Sequence, residues 1–416
     1  MIISFSVNNY KTLISNSDLA MYTAIDSSIP MVCDNQSVRY KDTEYNFLNY
    51  ILFGSQKRNL IVDYYDAMRK LYNIMTSSNI MINNVMIDNV VYKNNATAKL
   101  EVEYSTPLGI FAYGVDIDAN NKIVGEWLYK LNPKNTTDTE TSQSEECIFS
   151  RDLINNVFVN NFEYPKNRQM FEARLSESKP IVTDFNLYVE YKLKYGRDIK
   201  RELYAHDIIP YYIDTMQYSV YVDGFDLEEV NAFLKQINVK LECTNYSNQK
   251  DIKNVSGEFI VDSDRIQLQS NDKVYLFNIK KAYMLNARYI SEVLSVLKIY
   301  ATVKYGKTPD VPTAFVMYNF GTCFNPVVAE NILNWIVENN QNKMQLIMFE
   351  YPYNYMNIIR TDGIYIVHSL YGISDDNYNC DLYSLSQFDD SHVPEKTING
   401  KKRKLFSVNY MIGRYG

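Results

Sequence analysis

The chain has 416 residues, a formal net charge of −7, 46% hydrophobic residues and 22% charged residues. This length fits two lobes or one large α/β unit with insertions, and the balance excludes a disordered chain. The sequence pI of about 5.3 excludes a global basic field, so nucleic acid would need a local basic groove.

The elements follow in chain order. Residues 1 to 10 alternate Ile3, Phe5 and Val7 with Ser4, Ser6 and Asn8, which predicts a half-buried strand. Leu19 to Ala24 is a second candidate strand, followed by a polar loop around Asp34 to Thr43. Tyr50 to Gly54 reads as a short buried strand closed by glycine. Asn59 to Met75 carries apolar residues at spacings of three and four and predicts an amphipathic helix. Val85 to Tyr104 is strand-rich. Ile110 to Asp118 and Ile123 to Leu131 predict a hairpin joined by Ala119 to Lys122. Asn132 to Glu146 is polar and predicts an exposed loop, and Cys147 to Asp152 returns to strand.

From Asp152 to about Cys243 the pattern predicts mainly helix, with candidates at Asp184 to Tyr195 and Asp207 to Tyr218. Asp226 is a candidate N-cap with acids in the turn after it. Thr244 to Asn254 reads as a polar connector and Glu258 to Leu276 as strands. Ala282 to Lys304 predicts a long helix, with Leu297, Tyr300 and Ala301 among its buried residues. Then come a strand at Ala314 to Tyr318, a helix at Val327 to Asn339 and a continuous apolar strand at Met344 to Phe349. Short strands at Ile364 to His368 and Leu382 to Leu385 close the list.

The five cysteines (Cys33, Cys147, Cys243, Cys323 and Cys380) form no CxxC pair, which suggests a reducing cytoplasm rather than a disulfide framework or zinc site. No window approaches the roughly 18 apolar residues of a membrane span, and the N-terminus shows no signal-peptide pattern. The 37 tyrosines are read as the codon usage of an AT-rich genome.

Several stretches in one order resemble the ABC-class AAA ATP-binding domain of the RecF, SMC and OLD kind, in its bacterial single-chain form. They are Met1 to Lys11 (MIISFSVNNYK), Ile51 to Gly54 (ILFG), Asp66 to Leu71, Phe111 to Ile117, Ile123 to Tyr129 and Ile148 to Asp152. Gln345 to Ile347, Arg360 to Ile364, Leu382 to Ser386 and Gly413 to Gly416 continue the series. The resemblance implies a P-loop NTPase-like α/β ABC ATPase head, with a mixed or parallel sheet flanked by helices. It divides into an N-terminal ATPase lobe with a β-hairpin insert (1–154), a mainly helical insert (155–255) and a C-terminal ATPase lobe (256–416).

Carried onto this chain residue by residue, the family's catalytic motifs are altered. A working P-loop is GxxxxGK[ST], whose backbone N–H groups cradle phosphates while its Lys and hydroxyl serve the phosphates and Mg²⁺. The matching residues are Gly54, Ser55, Gln56, Lys57, Arg58, Asn59, Leu60 and Ile61, and only the first glycine agrees. Two readings stand: a residual anion site using Lys57 and Arg58, or a tightened structural turn. Tyr318 stands at the metal-binding Asp, Asn319 at the water-polarising Glu, and Gly321 at the following Asp. Asn319 could orient water, but a neutral amide cannot accept its proton. Tyr351 holds the switch-histidine position, and His206, His368 and His392 offer no replacement. Asn286 and Arg288 replace the Ser and Gly of the signature.

The resemblance therefore implies a pseudo-ATPase: a regulatory, sensor or scaffold subunit, cytoplasmic and in a phage-defence setting. It would join a protein partner, as a homodimer or as a heteromer with an active ATPase or effector. No cofactor or metal is expected, with ATP and Mg²⁺ left for residual binding. A divergent active NTPase using Lys57 with Glu350 or Asp362 is one alternative, and a DNA-associated component, unsupported by charge, is another. The end of the chain after Gly413 to Gly416 leaves no expected room for a fused nuclease.

Overall fold

The computed structural model describes residues 2–13, 19–22, 36–40, 43–55, 57–76, 97–106, 109–120, 122–131, 145–154, 157–160, 208–211, 218–238, 243–245, 255–261, 266–270, 273–279, 296, 299–300, 303–304, 314–318, 320, 326–340, 345–350, 355–356, 358–371, 378–388, 395–398 and 401–404.

Two large sheets and one helix between them form the frame. The first sheet is antiparallel. It uses β1 (Ile2–Asn8), β2 (Leu19–Tyr22), β6 (Ala98–Thr106), β7 (Gly109–Ile117), β8 (Ile123–Leu131), β9 (Glu145–Ile154) and β10 (Val157–Asn160), in the order β10-β9-β8-β7-β6-β1-β2. The second contains β5 (Tyr50–Ser55), β11 (Ile208–Tyr211), β17 (Ala314–Tyr318), β18 (Gln345–Phe349), β19 (Ile364–Tyr371) and β20 (Tyr378–Ser384), in the order β11-β17-β18-β5-β19-β20. Its first five strands are parallel and β20 is antiparallel. The architecture is thus α/β, a mainly parallel sheet beside a β-rich N-terminal lobe, as expected.

A third sheet, β12-β14-β15-β16-β13, is built from β12 (Tyr218–Phe225), β13 (Cys243–Asn245), β14 (Val255–Val261), β15 (Ile266–Ser270) and β16 (Lys273–Ile279). Two hairpins stand apart in pairing: β3 (Gln36–Tyr40) with β4 (Thr43–Phe47), and β21 (Glu395–Ile398) with β22 (Lys401–Lys404).

Helix α1 (Arg58–Thr76) packs against β5 and β18 of the parallel sheet and β1 and β6 of the antiparallel one. Its Tyr64 shows why one helix serves two sheets. The Tyr64 ring stacks on Phe53 at 4.1 Å between centroids, while its hydroxyl lies 2.9 Å from the Phe5 carbonyl and 3.2 Å from that of Leu19. Burial, first, pushes this phenol well above its ordinary pKa, so it remains a donor.

Buried polar side chains fix the sheets against each other. Gln345, fully buried at the start of β18, accepts from Ile2 N at 2.8 Å and donates to Ile2 O at 2.8 Å and Leu48 O at 3.3 Å. One amide thus ties the backbone of β1 to that of Leu48, just before β5. Within the antiparallel sheet, Glu126 accepts from Arg151 at 2.8 Å and 3.2 Å and from the Tyr113 hydroxyl at 2.9 Å, and all three are fully buried. Two glycines are steric necessities. A Cβ on Gly114 would lie 2.1 Å from the Trp127 indole, and one on Gly363 would lie 2.5 Å from the Tyr50 carbonyl oxygen.

The structure corrects two sequence expectations. The polar stretch around Asp34 to Thr43 holds β3 and the start of β4, because Gln36, Val38 and Tyr40 pair in register with Phe47, Tyr45 and Thr43. Asp207 to Tyr218 is not a helix: Ile208–Tyr211 forms β11, whose parallel pairing with β17 overrides local periodicity. The described residues of 155–255 include β10 to β13 and one helix, α2 (Leu227–Gln236), and most of that insert lies outside the described residues. Within 282–304, Val296, Ile299, Tyr300 and Val303 are buried helical residues, Tyr300 as expected, while Leu297 and Ala301 lie outside the described residues. The predicted cap is present: Asp226 Oδ1 accepts from Glu228 N at 2.8 Å. The candidate helix at Asp184 to Tyr195 and the loop residues 132–144 lie outside the described residues.

Gln345→Leu removes the partner of Ile2 N and O while keeping the volume. The expected result is a stability loss of about 1–3 kcal/mol in urea unfolding, from buried backbone groups that lose their hydrogen bonds to the amide.

Candidate functional site

The carboxyl ends of parallel strands are where an open α/β sheet presents a crevice. Here that edge is formed by Ser55 at the end of β5, Tyr318 at the end of β17, and Phe349 and Glu350 at the end of β18. Strand β18 separates β5 from β17.

At β5 the chain turns directly into α1. The buried Ser55 hydroxyl donates to Val367 O at 3.0 Å and accepts from Lys57 N at 3.1 Å. Lys57 O then accepts the first helical bond, from Leu60 N at 3.2 Å. Phosphate cradles depend on loop N–H groups pointing outward, and the Lys57 N–H is committed inward. Leu60 and Ile61, at the pattern's Lys and hydroxyl positions, are 1% and 3% exposed and belong to the central apolar core. Asn59, at the second glycine, is exposed.

Across the sheet, strand register aligns Tyr318, Phe349, Phe53 and Tyr365 in one row. Helix α1 lays Tyr64 and Tyr65 over it. Tyr65 stacks on Tyr318 at 4.8 Å with 15° between planes and meets Phe349 at 5.5 Å, while Tyr64 meets Phe349 at 6.0 Å. The Tyr365 hydroxyl donates to Tyr22 O in β2, and burial above all pushes its pKa to about 12. At the place where the resemblance implies a metal-binding Asp, Tyr318 brings a ring, and that ring is part of the packing. Among the described residues no three His, Cys, Asp or Glu side chains gather as a metal site.

The two alternative acids separate. Glu350 is buried at the carboxyl edge, its N–H donating to Phe53 O at 3.0 Å. Asp362 precedes β19 and lies at the opposite, amino edge, gripped by Arg360 at 2.9 Å and 2.8 Å. Asp362 is therefore removed from any role beside Lys57 or Glu350. His368 lies in β19, in register with Asp381. Gln56, Asn286, Arg288, Asn319, Gly321 and Tyr351 lie outside the described residues, as does the side chain of Arg58. Gly54 is a buried strand residue in register with Ile366. The aromatic row was not anticipated from the sequence. Each ring lies in a predicted strand, but their alignment comes from strand order and register.

The turn after β1 seats α1. Asn9 and Lys11 have positive φ, 50° and 47°, which brings Tyr10 to Leu13 under the helix. The Thr12 hydroxyl donates to Asp63, and Asp66 accepts from Tyr10 at 2.7 Å and Lys11 at 2.6 Å. Burial by itself would raise the Asp66 pKa, but the hydrogen bonds from Lys11 and Tyr10 outweigh it and hold the carboxyl below its usual value. Nearby Cys380 is buried, its pKa pushed to about 11 chiefly by that burial.

No family profile and no curated protein sequence matches the chain. Among solved structures it is similar to an SMC head bound to the C-winged helix domain of ScpA, at 8% identity and a TM-score of 0.41, covering 93% of this chain and 98% of that one. The SMC head domain from Thermotoga maritima gives 7% identity and a TM-score of 0.41, covering 91% and 98%. An SMC head with an extended coiled coil, bound to the C-terminal domain of ScpA derived from Pyrococcus furiosus, gives 9% and 0.42, covering 93% and 97%. No helix among the described residues is long and apolar enough to cross a membrane.

Two outcomes are expected. Tyr318→Asp loses the stack on Tyr65 and sets a carboxylate against Phe349, lowering stability by about 2 kcal/mol in urea unfolding without creating Mg²⁺ binding in titration. A lowered folded pKa means that Asp66 stabilises the fold above its unfolded value of about 3.9, and that this is lost as pH falls through the folded value. The urea midpoint of Asp66→Asn should therefore fall less steeply below about pH 4 than that of the parent chain.

Proposed function

We propose that the chain is an ATPase-like protein that does not hydrolyse ATP and acts as a regulatory, sensor or scaffold subunit. The observation that carries this reading is the seating of Tyr318 on Tyr65. Phosphoryl transfer rests on positioning and on electrostatic stabilisation by a P-loop Lys, a Mg²⁺-binding hydroxyl and a Mg²⁺-binding acid. At those three places the chain has Leu60 and Ile61 in the core and Tyr318 in an aromatic stack. The commitment of Lys57 N–H to Ser55 supports the tightened turn over the residual anion site.

The resemblance of the sequence landmarks to ABC-class heads, together with the parallel sheet and the helix that follows β5, supports an ABC ATPase head as the origin of this frame. The function is then exerted through a protein partner: a second copy, an active ATPase or an effector. A cytoplasmic, phage-defence setting belongs to the same proposal and rests on the family resemblance alone. One observation favours a second reading, residual nucleotide binding: Glu350 lies at the same sheet edge as Lys57.

Isothermal calorimetry with ATP, with and without Mg²⁺, decides between them. The expected result is no saturable heat at 1 mM ATP and no Mg²⁺-dependent rise in melting temperature, since a ligand at 100 times its Kd would add about 2.7 kcal/mol. Mg²⁺-dependent binding abolished by Lys57→Ala would establish the second reading instead.

A further inference from the structure

The inner face of the antiparallel sheet carries a diagonal of polar side chains across four strands. Arg151 in β9 pairs with Glu126 in β8, and Tyr113 in β7 donates to Glu126 at 2.9 Å. Tyr104 in β6 continues the line. The register sets it opposite Phe111, so Tyr113, two residues further along β7, is its diagonal neighbour on the same face. Tyr104 is 2% exposed, and its ring stacks beside Phe111 at 5.9 Å. Its hydroxyl is buried and has no hydrogen-bond partner among the described residues.

An unpaired buried hydroxyl is costly, because it has given up solvent without gaining a partner. Register sets Ile2, Phe5, Val102 and Phe111 around Tyr104, and their side chains cannot hydrogen-bond. Tyr113 can. Its hydroxyl proton goes to Glu126, which leaves the lone pairs of its oxygen as acceptors. Burial first, then Glu126, and after them Tyr104 push the Tyr113 phenol well above its ordinary pKa, so the two tyrosines feel each other electrostatically. Polar groups that are buried side by side without a direct bond are where proteins hold an internal water, which needs about two to four polar partners.

We propose that the antiparallel sheet binds one internal water between the hydroxyls of Tyr104 and Tyr113. The water accepts from Tyr104 and donates to Tyr113, which extends the chain from Arg151 through Glu126 and Tyr113 to β6. It is a structural ligand that ties β6 to β9 through side chains, beyond the backbone pairing of neighbouring strands. Helix α1 packs on β6, so the chain ends at the strand that helps to seat it. The proposal is independent of whether the sheet edge at Tyr318 binds nucleotide.

The test joins a high-resolution crystal structure of the full chain to urea unfolding of Tyr104→Phe, which keeps the ring on Phe111 and removes only the hydroxyl. The parent should show a water at hydrogen-bonding distance, about 2.5–3.0 Å, from both Tyr104 Oη and Tyr113 Oη. The variant should lack that water and unfold at a lower urea concentration, because a bonded hydroxyl has been lost. An unpaired hydroxyl gives the other result: its removal abolishes a desolvation cost and leaves the midpoint unchanged or raised. Tyr104→Phe and Tyr113→Phe combined should lower the midpoint by less than the sum of the single changes, since each removes a partner of the same water. A parent structure without a water at this place, or with Tyr104 Oη bonded directly to the protein, overturns the proposal. So does a Tyr104→Phe midpoint equal to or above that of the parent, or additivity of the two changes.

Discussion

The fold depends on seating one helix between two sheets. Helix α1 must lie flat on the parallel sheet and also hold the antiparallel sheet in place, and Tyr64 does both with one side chain. Its ring is spent on Phe53 and its hydroxyl on the carbonyls of β1 and β2. Around it, Asp63 and Asp66 receive the turn Tyr10 to Leu13, and Gln345 closes the far end by pairing with Ile2. Aromatic packing supplies most of the attraction, because rings bury large apolar areas and gain about 0.5–1.5 kcal/mol per well-placed pair beyond that. The polar contacts add modest net energy, but they are costly to break and so fix the register.

The same seating decides what the carboxyl edge of the sheet can do. A site for phosphate and metal needs cations, acids and free N–H groups facing solvent. Here the first turn of α1 sends Leu60 and Ile61 inward, the Ser55 hydroxyl takes the Lys57 N–H, and Tyr318 continues the row begun by Tyr365, Phe53 and Phe349. Each of these groups is stable in its place without a charged ligand, so the seating of the helix needs none.

Two buried ion pairs stand elsewhere among the described residues. Arg151 and Glu126 lie inside the antiparallel sheet with the Tyr113 hydroxyl, and Arg360 grips Asp362 at the amino edge. Such pairs return little net stability against hydrophobic replacements, yet losing one partner strands a buried charge. Their value is in fixing register: Arg151 and Glu126 are cross-strand partners, and Arg360 and Asp362 set the turn that brings Gly363 against the Tyr50 carbonyl.

Local pattern determined much of this protein. Alternation marked β1 and β6 to β8, spacings of three and four marked α1, and an unbroken apolar run marked β18, because each signal reports which faces of one element are buried. The motif positions at Gly54 to Ile61 and Tyr318 could be read as altered because residue type alone states whether a charge is present. Other features belong to tertiary structure. Strand β11 lacks alternation and exists because β17 offers it a parallel edge. The aromatic row joins residues 53, 318, 349 and 365, whose alignment depends on strand order and register. The division between Glu350 and Asp362 likewise needed the strand directions, since a sequence names an acid without saying which end of a sheet it occupies.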